Sequence, residues 1–424
     1  MDADLIDIII PAYRGFAELQ ACLNSVLNSK NLGVGDVIVI NDCSPDPEIN
    51  AYLTDLAQTG AITLLKNPEN VGFVVSCNRG ASKNPRRDFI LLNSDTVVHG
   101  DWLDRMAAHA VSVEKVASVT PFSNNATIAS YPSTDPKNAP NSKKSVGNID
   151  SMMAIANSGL SVDLPTAVGF CMYVVRSAWL ETGGFDLSFG RGYGEEVEFC
   201  CSTSQNGWTH RLACDVFVYH VGAVSFGSES AKLRADAQAR IDSRYPDFAA
   251  RIDEWITNDP ALPARLNCDL YRVAGSKGPR ILHLSHDMGG GVQQYIEDLA
   301  EVAFESAGAV SFVLQPWGED AIKLQGLGGG TDLSVKLSKK CAEHLIPDLL
   351  KNLGIQRVHF HHSNGLPRWV LGLADQLGLP LDVTVHDFVS ICPHSHYPYD
   401  CPLCLSSELC EWGLTTDDRR ALFG

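Results

Sequence analysis

The chain has 424 residues, enough for two or three domains with full-sized cores. Its 33 Lys and Arg against 50 Asp and Glu give a formal charge of -17. That charge disfavours nonspecific attraction to nucleic acid or to an anionic membrane surface, so any phosphate must be held by local groups. The first residues, Met1 to Asp7, lack the basic region and cleavage site of a signal peptide. No apolar run approaches the ~20 residues of a membrane span, and the expectation is a soluble cytoplasmic protein. The 13 cysteines are odd in number, and Cys22, Cys77, Cys171 and Cys214 stand singly, which suits reduced thiols better than a disulfide framework.

Strand and helix patterns alternate in a first block. Ile6 to Ile10 is a β-rich run ended by Pro11, and Phe16 to Leu27 has helical spacing. Val37 to Ile40 reads as a second strand ending at Asn41-Asp42, Ile62 to Leu65 as a third and Phe89 to Leu92 as a fourth. Val71 to Lys83 is helix-like. Strands separated by helices imply a parallel sheet, whose ligands sit beyond the carboxyl ends of the strands. Pro11-Ala12-Tyr13, Asn41-Asp42 and Asn93-Ser94-Asp95 all fall there. A carboxylate at a buried strand end is a rigid oxygen ligand for a hard cation shared with a phosphate.

Residues 120–150, rich in Asn, Ser, Pro and Lys, read as a long mobile loop over this rim. Val168 to Arg176 reads as a strand, and a glycine-rich stretch from Gly190 leads into Glu195-Glu196 at the start of a helix through Asn206. The helix dipole favours carboxylates there, which is reason enough for an acidic pair without catalysis. Val216 to His220 is one more strand, and a histidine at such an end is commonly structural.

Ordered motifs give the block a family likeness. IIIPAY at 8–13, VIVINDCS at 37–44, LLNSDTVV at 91–98, and GYGEEVEFC at 192–200 followed by VYHVGAVSFG at 218–227 resemble an inverting family 2 glycosyltransferase of GT-A fold, in the rhamnosyltransferase-like, polysaccharide-assembly branch. The resemblance implies that Pro11 and Tyr13 line a nucleotide base pocket, that Asp42 accepts a hydrogen bond from the base, and that Arg79 and Asn93 approach the nucleotide. It further implies Asp95 and His220 as contacts of a divalent metal (Mn²⁺ or Mg²⁺), and Glu196, beside Glu195, as catalytic base. Asn93 stands where the family has the first Asp of its DXD, which leaves one fewer negative charge for the metal. The implied activity moves a sugar from a nucleotide-diphosphate donor to a glycan or lipid-linked glycan acceptor in cell-surface polysaccharide synthesis. It would act in the cytoplasm, at the inner face of the plasma membrane beside membrane assembly machinery. A nucleotidyltransferase and a catalytically silent sugar-binding scaffold are the other readings.

From Ser228 the composition turns to charged helical segments, Ala231 to Arg244 and Phe248 to Ile256, with a linker at 275–279. The expected domains are 1–227, 228–278 and 279–424. In the last, Arg280 to Ser285, Arg357 to His361 and Leu381 to Val385 read as strands, Val292 to Glu305 and Trp369 to Leu377 as helices. HLSHDMGGGVQQYIEDLA at 283–300 and VTVHDFVSICP at 383–393 resemble the N-terminal, Rossmann-like half of a family 4 glycosyltransferase of GT-B fold. That likeness matches His386 to an acceptor-side histidine and implies either part of a longer two-enzyme chain or a docking module. His359, His361 and His362 read as strand-end packing. Cys401 and Cys404 have zinc-ligand spacing, and with Cys392 and Cys410 they read either as a structural Zn²⁺ site or as reduced thiols.

Overall fold

The computed structural model describes residues 5–132, 146–222, 230–328 and 333–386. The chain divides into two units, Met1–Cys268 and Asp269–Gly424, with the boundary inside the helix Leu262–Gly275.

The strands of the first unit are β1 (Ile6–Ala12), β2 (Val34–Asn41), β3 (Thr63–Lys66), β4 (Phe89–Leu92), β5 (Thr96–Val97), β6 (Val116–Phe122), β7 (Ser161–Leu164), β8 (Cys171–Val174), β9 (Thr209–Phe217) and β10 (Tyr219–His220). Eight of them form one sheet in the order β3-β2-β1-β4-β8-β6-β9-β7, and β10 pairs with β5 in a separate ribbon. Continuous apolar runs suit strands covered on both faces. Accordingly Ile8 and Ile10 face one core, Ile9 with Ile38 and Ile40 the other. The helix Phe16–Leu27 covers the first face through Leu19, Cys22, Leu23 and Val26. The helix Phe73–Ala81 covers the second and comes close because residue 80 is glycine: a Cβ there would lie 2.5 Å from Ile9 Cγ2 and 2.9 Å from Ile40 Cδ1.

The sheet is mixed where a parallel one was expected. β1 to β4 are parallel, with Ala12 level with Asn41, but β8 runs antiparallel to both β4 and β6, and β7 antiparallel to β9. The expected strand 168–176 is confined to β8, since Gly169 and Phe170 form a turn. The expected loop 120–150 is corrected at its two ends, residues 133–145 of it lying outside the described residues. β6 is buried throughout, Tyr131 is 1% exposed, and the helix Val146–Ala156 begins within that span. The expected helical extension belongs to the first unit as far as Cys268. Trp255, Ala261 and Ala264 join its core, Trp255 Nε1 donates to the Asp163 carbonyl at 2.8 Å, and Arg265 donates to the Ser130 carbonyl at 3.0 Å.

His210 on β9 is a buried histidine with a purely structural role. Its Nε2 lies 3.0 Å from the Cys200 carbonyl and its Nδ1 2.7 Å from Ser118 Oγ, a set of partners that the neutral ring satisfies. Burial pushes its pKa down to about 4. Between that value and the unfolded value near 6.5 the unfolded chain binds more protons, so stability is full above 6.5 and falls as the pH drops toward 4. The expected loss from this one ring is about 3 kcal/mol between pH 7 and pH 4. Denaturant unfolding of wild type and His210→Gln across that range should show their stability difference shrinking on acidification; a pH-independent difference would contradict the assignment.

The second unit holds β11 (Arg280–Leu284), β12 (Val310–Trp317), β13 (Ala321–Leu327), β14 (Ser334–Ser338), β15 (Arg357–Phe360) and β16 (Leu381–Val383), ordered β14-β13-β12-β11-β15-β16. The four strands β12, β11, β15 and β16 are parallel, as strand and helix alternation implies. The antiparallel β13 and β14, joined to β12, depart from the expected Rossmann-like half domain. Among the described residues no helix is long and apolar enough to cross a membrane. Cys22, Cys77, Cys171 and Cys214 are buried thiols outside any disulfide. Cys392, Cys401, Cys404 and Cys410 lie outside the described residues.

Candidate active site

A cavity of about 550 Å³ opens at the carboxyl ends of β1, β2 and β4 and against the start of the helix Glu195–Gln205. Pro11, Tyr13, Asp42, Asn93, Asp95, Glu195, Glu196 and His220 all line it. Arg79 does not: its guanidinium donates to the Lys66 carbonyl at 2.8 Å and to Asn67 Oδ1. Its contribution is indirect, since Asn67 Nδ2 in turn donates to Asp42 Oδ1 at 2.7 Å.

Asp42 follows β2 and is 5% exposed. Besides Asn67 it accepts from the backbone N–H of Val71 at 2.9 Å and of Gly72 at 2.8 Å. A carboxylate so held keeps a fixed orientation at the cavity wall and retains one lone pair for a donor in the cavity. Gly72 has φ 88, and a Cβ on it would fall 2.7 Å from Arg191 Cα, so only glycine allows this approach. Through it the Phe73 N–H reaches the Arg191 carbonyl at 3.0 Å, tying the Asp42 wall to the glycine-rich turn.

Asp95 and His220 meet across the β5–β10 ribbon. Asp95 Oδ2 accepts from the Gly222 N–H at 2.9 Å, while Oδ1 lies 3.5 Å from His220 Nε2. His220 Nδ1 is 2.8 Å from the Asn125 carbonyl, which can only accept, so in the neutral ring Nδ1 carries the proton and Nε2 presents its lone pair to the carboxylate. Two lone-pair donors facing each other at 3.5 Å repel unless a proton on Nε2 or a metal cation lies between them, and adjacent ligands of an octahedral cation at ~2.1 Å stand about 3 Å apart. The pair therefore fits a hard divalent metal. The His220 ring is fixed further by stacking on Phe170, with centroids 5.1 Å apart, and by Asn124, whose amide bonds the His220 carbonyl at 2.9 Å and the His220 N–H at 2.8 Å. Asn124, Asn125 and Phe170 were not picked out in the sequence. The signal for the two asparagines is the polar run after β6, while Phe170 lies within the expected strand 168–176.

Glu195 and Glu196 open their helix after a turn in which Tyr193 has φ 74 and Gly194 φ 86. A non-glycine residue in the left-handed region is strained, and such strain collects at functional sites. Tyr193 is covered by Arg234, whose guanidinium lies 4.9 Å from the ring centroid. Each of the two glutamates has an Oε2 that is out of solvent and without a hydrogen-bond partner among the described residues. Burial first, and the charge of Glu196 second, push the Glu195 carboxyl well above the ordinary range. Burial also raises Glu196, opposed by the backbone N–H groups of Glu196, Gly194 and Val197. Burial disfavours ionising both carboxyls, and these N–H groups favour the charge on Glu196. Glu195 is 4% exposed, whereas Glu196 is half-buried.

The family match follows this geometry. Residues 7–176 match the family model for glycosyl transferase family 2. That match lies within the first unit. The match covers Pro11, Tyr13, Asp42, Arg79, Asn93 and Asp95 and ends before Glu195, Glu196 and His220. Over 108 residues the chain is 25% identical to an uncharacterized glycosyltransferase of Haemophilus influenzae (strain ATCC 51907 / DSM 11121 / KW20 / Rd), a stretch that is 25% of this chain and 32% of that relative. The chain thus matches about a third of that protein's length. Among solved structures it is similar to GalNAc-T7 with UDP, GalNAc and Mn²⁺ at a TM-score of 0.45 and 12% identity, covering 79% of this chain and 67% of the other. It is also similar to the mannosyltransferase PcManGT from Pyrobaculum calidifontis in complex with GDP-Man and Mn²⁺, at a TM-score of 0.42 and 15% identity, covering 71% of this chain and 80% of the other.

Proposed function

We propose that the first unit is an inverting glycosyltransferase that moves a sugar from a nucleotide-diphosphate donor to a hydroxyl of a glycan or lipid-linked glycan, in the cytoplasm and in the service of cell-surface polysaccharide synthesis. The observation that carries this reading is the unpartnered Glu196 Oε2 in the same cavity as the Asp95–His220 pair. An unsatisfied buried carboxylate oxygen is costly, by roughly 1–3 kcal/mol or more, and it is the atom on which an acceptor proton would settle.

Pro11 and Tyr13 would flank the base, and Asp42, held by Asn67, Val71 and Gly72, would accept its N–H. Asp95 and His220 would hold a divalent cation, which would supply Lewis-acid neutralisation of the charge developing on the leaving diphosphate. Glu196 would take the proton of the acceptor hydroxyl on Oε2 as that oxygen attacks the anomeric carbon and the bond to the diphosphate breaks. Glu195 stays protonated, so one negative charge faces the acceptor. A single displacement of this kind inverts the anomeric centre.

The test is a thermal-shift panel of UDP-, GDP- and dTDP-sugars with and without Mn²⁺. A ligand that binds only the folded state at 100 times its Kd stabilises by about 2.7 kcal/mol, or roughly 5–10 °C for a unit of this size. At least one donor should give that shift only with the metal, and the anomeric proton of its transfer product should show inverted configuration by NMR. A panel in which no nucleotide sugar stabilises the protein would overturn the reading.

A further inference from the structure

The carboxyl ends of β11 and β15 gather histidines that the proposed transferase does not use. His283 on β11 lies level with His359 on the neighbouring parallel β15. His361, two residues further, lies on the same side of the sheet as His359, because side chains alternate along a strand. The ring centroids of His359 and His361 are 4.1 Å apart, and those of His283 and His361 are 5.2 Å apart. Each of the three offers one nitrogen, and these nitrogens all lie within 4.8 Å of one another. His283 and His361 are each 1% exposed, and His359 is half-buried.

The hydrogen bonding inside the cluster is incomplete. His386 Nε2 is 3.2 Å from His361 Nδ1, and His361 Nε2 is 3.0 Å from His283 Nδ1. Whichever way the protons point along this chain, it ends at His283 Nε2, a buried nitrogen with no partner among the described residues. Simple packing of aliphatic strand ends would leave no such atom, and a buried polar atom without a partner calls for an explanation such as an ion. Burial also drives the pKa of His283 to about 3 and of His361 to about 2, so the rings are in the neutral form that ligates metals.

We propose that His283, His359 and His361 form a binding site for a divalent transition metal of the Zn²⁺ class, one nitrogen from each ring. The donor set decides the metal: three imidazoles without a carboxylate suit zinc, copper or nickel and not the hard cations that oxygen ligands take. His361 and His359 already have the outer partners such ligands require, in His386 Nε2 at 3.2 Å and in Thr384 Oγ1, 2.8 Å from His359 Nε2. Nitrogens within 4.8 Å need only small side-chain rotations to close on a cation at ~2.0–2.1 Å. This site is separate from the Asp95–His220 pair, and it neither requires nor supports a transferase activity.

The experiment uses the full chain in an Asp95→Ala, Cys392→Ser, Cys401→Ser, Cys404→Ser, Cys410→Ser background, stripped with a chelator and titrated with Zn²⁺. One equivalent should bind, and X-ray absorption at the zinc edge should show a nitrogen shell at ~2.0–2.1 Å with the multiple scattering of imidazole and no sulfur at ~2.3 Å. His283→Gln and His361→Gln should each lower the affinity at least hundredfold, and His386→Ala about 10–100-fold through loss of the outer partner. Absence of bound zinc, a shell containing sulfur, or an affinity indifferent to His283→Gln and His361→Gln would overturn the proposal. The absorption spectrum is read without any histidine substitution, so a misfolded variant does not remove the test.

Discussion

Glu196→Gln should lower transfer by about 10²–10⁴-fold while leaving metal-dependent donor binding within about twofold of wild type. The change keeps the shape of the side chain and removes the negative charge, so a donor anchored by Asp42 and the Asp95–His220 pair still binds. What disappears is the proton acceptor, worth about 3–5 kcal/mol of barrier at that fold-change. The pH profile provides a second readout. Burial raises the Glu196 carboxyl above its ordinary value, and the base works only when ionised, so activity falls as the pH drops through that raised value. The acid limb of kcat/KM should therefore lie above pH 4.5, where an ordinary glutamate titrates, and should be missing from the residual rate of Glu196→Gln. Normal transfer by the variant would sink the assignment of the base. Lost donor binding would instead show that Glu196 positions the nucleotide.

Why the first four strands could be read and others could not is a matter of where their partners lie. IIIPA, VIVI and FILL are continuous apolar runs because both of their faces are covered, and their polar ends mark the rim where a ligand sits. β6 and β9 carry Ser118, Thr120, His210 and Asp215 into the interior, which breaks the apolar pattern. Each such group is satisfied from far along the chain: His109 Nε2 meets Asp215 Oδ1 at 2.7 Å across 106 residues, and Ser118 meets His210 across 92. No local window contains that information. The same reason explains the misread loop. Asn124, Asn125 and Ser130 are loop-forming by type, yet they are held by His220 and Arg265 from distant segments. That Asp42 and Glu196 stand at the cavity was legible because strand ends and helix starts are local signals. The withdrawal of Arg79 from the cavity was not, since Asn67 is the residue that captures it.

Asp95→Ala should weaken Mn²⁺-dependent donor binding by about 100-fold or more and abolish turnover, whereas His220→Ala should raise the Mn²⁺ requirement by a smaller factor, about 10–100-fold. The difference follows from charge. Asp95 brings a formal negative charge to the cation, fixed by the Gly222 N–H at 2.9 Å, while His220 brings a neutral lone pair. Asn93→Asp should act in the opposite direction. Residue 93 lines the same cavity, and a second carboxylate there adds a negative charge beside Asp95, lowering the Mn²⁺ concentration for half-maximal activity. Two like charges at one rim also repel when no metal is present, so Asn93→Asp should be less stable than wild type in chelator and regain stability when Mn²⁺ is added. Titrating Mn²⁺ against activity and melting temperature for the three variants separates these effects. If Asp95→Ala keeps an unchanged Mn²⁺ titration, the cation is bound elsewhere and the Asp95–His220 pair is a structural contact.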